Sequence, residues 1–69
     1  MNEIQSQKTQ IRAYLESGNA ITPLEALEMF GCFRLGARIY DLRRDGMAIE
    51  RDMVERNGKR FASYFLSAE

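Results

Sequence analysis

Four consecutive residues, Thr22-Pro23-Leu24-Glu25, fix the start of a helix to a single position. The Thr22 hydroxyl can cap the first turn. Pro23 suits the first helical position, because its missing N–H would be unpaired there anyway. Glu25 stands three residues past the cap, where its carboxylate can reach back to the cap's own N–H. Ile21 before the cap and Leu27 after it help to pin the approach of the chain. The helix is predicted over about 23–30, since Gly31 ends it, and the remaining elements must be arranged around this short, well-marked one.

A first helix is expected over about 4–17. Ile11, Tyr14 and Leu15 share one face, and Lys8, Arg12 and Glu16 form an i, i+4 ladder on another. Gly18 suits the left-handed position that follows a helix, and Asn19 continues the turn. Ala20 and Ile21 leave room for a bridge or a minimal strand. A third helix is expected over about 33–45, beginning near Cys32 or Phe33 and stopped by Gly46. Leu35, Ile39 and Leu42 give it a core stripe at i, i+4 and i+7. Two helices joined by about three residues containing a glycine have the spacing of a helix-turn-helix.

Beyond Gly46 the period changes. Segments 47–56 and 59–66 flank Asn57-Gly58, a two-residue turn signal, because both central residues of a type I′ turn need positive φ. The implied register sets Arg56 opposite Lys59, Met53 opposite Ala62 and Ile49 opposite Leu66. Ile49, Met53, Ala62 and Leu66 then share the face expected to pack on the helices, leaving Val54, Phe61 and Phe65 on the other. The fold class is therefore α+β, a winged helix-turn-helix of three helices and a C-terminal β-hairpin over about 47–66, with residues 1–69 forming one domain.

Composition narrows the function classes. The chain has 69 residues, 45% of them hydrophobic, no histidine and a single cysteine. A domain this small buries only about 60% of its unfolded surface, so its core is thin. No apolar run approaches a membrane span and no signal-peptide pattern opens the chain, so no membrane partner and a reducing cytoplasm are expected. No metal or cofactor is expected, since with no histidine and one cysteine a zinc site would need mostly carboxylate ligands, which structural zinc rarely uses. An enzyme is not expected either: Cys32 has no adjacent base in sequence and reads as packing.

The net charge is zero, but the charges are polarised. Residues 33–60 hold eight basic side chains against five acidic ones, a local +3, and the rest holds two against five, a local −3. A helix 10–12 Å across fits the roughly 12 Å major groove of B-DNA, and a hairpin tip beside it reaches backbone or minor groove. Double-stranded DNA is thus the expected partner, with the helix from Arg34 to Arg44 as its reader. Arg34, Ala37 and Arg38 are the candidates for base edges, because arginine's planar fork matches guanine O6 and N7 and small residues allow close approach. Asp41 can accept from cytosine or orient Arg38 or Arg44; orienting is the simpler use. Arg56, Asn57, Lys59 and Arg60 at the hairpin tip are candidates for phosphate contact, or merely for protecting a sheet edge. Arg43, next to inward-pointing Leu42, is expected to serve structure.

The stretch Ile21-Thr22-Pro23-Leu24-Glu25-Ala26, followed by Arg34-Leu35-Gly36-Ala37-Arg38-Ile39-Tyr40-Asp41-Leu42-Arg43-Arg44-Asp45-Gly46, resembles small helix-turn-helix proteins of phages and prophages. Those combine an I-T-x-x-E-A second helix with an R-L-x-A-R-I-x-x-L-R-x-x-G third helix. The resemblance covers about residues 9–66 and implies a winged-helix fold with DNA binding, as a transcriptional regulator or recombination accessory factor. The competing expectation is a protein-binding winged helix that inhibits or adapts a host protein. It would use Tyr40, Met29, Phe33 and Phe65 as anchors, although the usual place of Tyr40 and Phe33 is the core. A homodimer is a further expectation, since one small module touches few bases.

Overall fold

The capping chemistry at Thr22 forms as its sequence requires. In a computed structural model, which describes residues 3–67, Thr22 Oγ1 accepts from the Glu25 N–H at 3.3 Å and Glu25 Oε1 accepts from the Thr22 N–H at 3.0 Å. Both orphan donors at this helix start are thereby satisfied. The helix, α2, spans Pro23–Phe30 and ends at Gly31, whose φ of 64° is left-handed. The Gly31 and Cys32 N–H groups donate to the Leu27 and Ala26 carbonyls, closing the last turn.

Before it lies α1 (Glu3–Glu16) and after it α3 (Leu35–Arg44). The third helix thus starts two residues later than the apolar pattern implies. The Cys32 N–H is already spent on the carbonyls that close α2, and Cys32 turns into the core, so Phe33 sits in a bend and Arg34 becomes the cap residue. At the other end Gly46, with φ 103°, carries the chain away from α3. Two antiparallel strands follow, β1 (Ile49–Arg56) and β2 (Lys59–Leu66), joined by Asn57 and Gly58 at φ 54° and 76°. Both positive values are those a type I′ turn demands.

The pairing is Ile49 with Leu66, Met53 with Ala62 and Arg56 with Lys59, the register set by the turn. Ile21 adds a single antiparallel bridge to β2, exchanging two 2.8 Å hydrogen bonds with Tyr64. The two hairpin faces do not divide as expected. Ile49, Tyr64 and Leu66 pack on the core, but Met53 on the same face is exposed. Phe61 and Val54, opposite each other on the other face, are half-buried instead. The cause is local: Phe61 lines a groove against Leu24 and Glu28 of α2, so toward its tip the hairpin covers apolar surface with the face expected to be outer.

The core gathers Ile11 and Leu15 of α1, Ile21, Ala26 of α2, Cys32, Leu35, Ile39 and Leu42 of α3, and Ile49 of β1. Each large aliphatic chain buried this fully contributes on the order of 1.5–3 kcal/mol of transfer free energy. At the rim the Tyr14 and Phe30 rings meet edge to face at 5.8 Å. Arg12 pairs with Glu16 at 3.3 Å as the ladder implies, but Lys8 leaves the ladder and reaches across to Asp45 just past α3. Among the carboxylates, Asp45 is held below its usual range, chiefly by this hydrogen bond from Lys8.

Candidate nucleic-acid interface

With Leu35, Ile39 and Leu42 inward, a rotation of about 100° per residue carries Ala37, Tyr40, Asp41 and Arg44 to the outward side of α3. Arg34 stands exposed at the N-terminal end of this face, and Ala37 is half-buried. Gly36 is open enough that a Cβ there would meet nothing within 4 Å. The front of α3 therefore presents small residues beside a free guanidinium, a surface that can lie close against another backbone.

Arg38 is placed differently from a free reading residue. Its side chain is only 13% exposed, its Nη2 lies 3.3 Å from Asp41 Oδ2, and its buried Nε has no hydrogen-bond partner. Asp41 also holds Arg44, Oδ1 to Nη2 at 3.5 Å, while the Arg44 guanidinium carbon sits 5.7 Å over the Tyr40 ring. One carboxylate thus spans two arginines at i−3 and i+3 and leaves Arg44 the more accessible of the pair. Of the two uses open to Asp41 in the sequence, the free protein displays the orienting one.

Arg43 lies off this face. Its Nε and Nη2 donate to the Ile49 carbonyl at 3.1 and 2.9 Å, tying the end of α3 to the first residue of β1. It is a structural fork, in keeping with its place beside Leu42.

At the hairpin tip Arg56, Asn57, Lys59 and Arg60 are all exposed. Ladder parity separates them: Arg56 and Lys59 share the face of Phe61, while Arg60 shares the face of Glu55 and Met53. Arg56, Asn57 and Lys59 line one side of the groove whose other side is Thr22, Leu24, Glu25 and Glu28. The tip cations therefore approach α2, the leading helix of the pair. Glu25 is consumed by the capping box, so Glu28 is the acidic side chain left free on that wall. Among the described residues, Arg34, Arg56, Lys59 and Arg60 form no ion pair.

Two side chains on this surface stand in the sequence reading only as anchors of the protein-binding alternative, not among the DNA contacts. Phe33 is 86% exposed in the turn before α3, and Tyr40 is 64% exposed in its middle. The ordinary preference of aromatic rings assigns both to the core. The core stripe itself held the signal for Tyr40, which follows Ile39 by one residue and must turn away from it. Met29 is likewise exposed, whereas Phe65 is half-buried on the hairpin.

The described residues contain no cluster of metal-ligating side chains and no helix long and apolar enough to cross a membrane. A family model described as a winged helix-turn-helix domain matches residues 6–69, nearly the whole chain. No curated protein and no solved structure matches.

Proposed function

The chain belongs to the winged helix-turn-helix domain family, and from that membership we propose that it binds double-stranded DNA in the cytoplasm, as a small phage-type transcriptional regulator or recombination accessory factor. The observation that carries the reading is the outward face of α3. It joins an unpaired Arg34 at the leading end, small residues behind it and a stacked, accessible Arg44 at the trailing end. Arg34 takes a base edge or a nearby phosphate, Ala37 gives close approach, and Arg44 contacts phosphate. Arg38 reads a base once it leaves Asp41. Arg56, Asn57, Lys59 and Arg60 meet backbone or minor groove from the wing.

Neutral net charge leaves binding to rest on these few local cations, so affinity must fall with salt at a slope set by their number. The test is fluorescence anisotropy with labelled duplex from 50 to 200 mM salt. Deleting one phosphate-binding cation, as in Lys59→Ala, lowers the logarithmic salt slope by about 0.9. Duplex binding that is absent at 50 mM salt overturns the reading.

A second reading keeps one observation of its own. Leu24 and Met29 of α2 are 62% and 47% exposed, more apolar surface than a helix lying along phosphates needs. It makes the domain an inhibitor or adaptor docking on a host protein, or a homodimer. A pull-down from lysate with and without nuclease separates these cases by which class of partner stays bound.

A further inference from the structure

Resting on the DNA reading, we propose that Phe33 and Tyr40 are specificity residues that pack on thymine methyl groups in the major groove.

Positions 37, 40 and 44 lie at i, i+3 and i+7 on the outward side of α3, and Phe33 stands exposed in the bend just before it. Phe33, Ala37 and Tyr40 are the apolar members of this group, and two of them are aromatic and well exposed. An aromatic ring left in water forgoes the transfer free energy that would hold it in the core. Leu35, Ile39 and Leu42 already supply this helix's contribution to that core, so the apolar group is surplus to folding.

The chemistry beside the apolar group selects its partner. Arg34 follows Phe33 directly in the chain, and the Arg44 guanidinium stacks on Tyr40, so a cation stands near each end of the apolar group. Apolar surface with a cation at both ends complements a surface that is apolar in the middle and anionic at both edges. The floor of the major groove between two phosphate strands is such a surface where thymines stand, because the thymine C5-methyl is the apolar feature exposed there. Arg34 is left to guanine or phosphate beside the first thymine, and Arg44 to the backbone beyond the second.

The test uses duplexes selected by the full-length protein from a random pool, then resynthesised with every thymine replaced by deoxyuridine. That change removes only the methyl and keeps base pairing. Burial of one methyl corresponds to about four-fold in affinity and burial of two to about fifteen-fold. Wild-type protein is expected to lose that much on the uracil duplex. Phe33→Ala and Tyr40→Ala are each expected to lose about four-fold on the thymine duplex and to respond correspondingly less to uracil. Tyr40→Phe keeps the preference. All three variants should melt within a few degrees of wild type, since neither ring is in the core.

Wild-type binding that is indifferent to the methyl, within two-fold, overturns the inference and leaves the DNA reading standing. Selection of no duplex at 50 mM salt overturns both. A nuclease-resistant protein partner lost on Phe33→Ala also overturns the inference, in favour of the protein-binding reading.

Discussion

Replacing Arg43 by methionine isolates the bond between α3 and the hairpin. The substitution keeps an unbranched apolar stem and deletes the guanidinium that donates twice to the Ile49 carbonyl, at 3.1 and 2.9 Å. A hydrogen bond from a charged donor contributes about 1.5–3 kcal/mol. Both bonds fall on one acceptor and the side chain is partly solvated, so they do not add in full, and water can reach the carbonyl in the variant. The expected loss is therefore about 1–2 kcal/mol. For a domain of this size each kcal/mol lowers Tm by about 4–8 °C, which places the variant roughly 5–15 °C below wild type. Arg43→Lys offers one donor of different reach and should recover less than half of the loss. Thermal melts followed by circular dichroism, with urea titrations at 20 °C, measure both. Duplex affinity measured well below both melting points should change by less than two-fold. An unchanged Tm with a ten-fold loss of DNA affinity would refute the structural assignment and make Arg43 a contact residue.

Thr22→Ala removes one half of the capping box and should cost about 1 kcal/mol in denaturant unfolding, with no change in slope. Asp45→Asn tests the Lys8 pairing through pH. A carboxylate held below its unfolded pKa stabilises the fold above about pH 4 and loses that contribution as pH falls through its folded value. Asp45→Asn should accordingly be the less stable protein at pH 7 and equal to wild type near pH 2, and a gap that persists in acid contradicts the assignment. Asp41→Asn releases Arg38 and Arg44 from their shared carboxylate and should raise affinity for random-sequence duplex several-fold at 50 mM salt. Anisotropy showing weaker binding to random duplex would instead make Asp41 an essential contact.

The most legible parts of this fold were those determined by neighbours in the chain. The limits of α2 follow from Thr22, Glu25 and Gly31, and the hairpin register follows from Asn57-Gly58, because backbone hydrogen bonding and φ preference act over three or four residues. The start of α3 was less legible because it depends on how α2 ends. The Cys32 N–H is drawn into that closure, and no local propensity records it. Lys8 illustrates the same limit: its i, i+4 neighbour Arg12 lies in sequence view, but the carboxylate it reaches is 37 positions away. The division of the hairpin faces was hidden because β-sheet alternation says which residues share a face but not which stretch of that face another helix covers. In the candidate site, the i, i+3 pairing of Arg38 with Asp41 could be anticipated, whereas the depth to which it sinks Arg38 could not. Tyr40 was legible in principle from Ile39 but was outweighed by the ordinary preference of aromatic rings for interiors.

The ties around α3 are distributed unevenly along its length. Past its last turn the Met47 N–H donates to the Leu42 carbonyl, Arg43 grips β1 and Lys8 of α1 holds Asp45. Its first turn, by contrast, begins at Arg34 with no side-chain cap. Mechanically the helix is clamped by polar ties where it leaves the body of the domain, whereas its other end is held by the buried Cys32 and Leu35 without a side-chain cap. Amides of its first turn should exchange with solvent through fraying at little energetic cost, while those near Leu42 should open only with the whole fold.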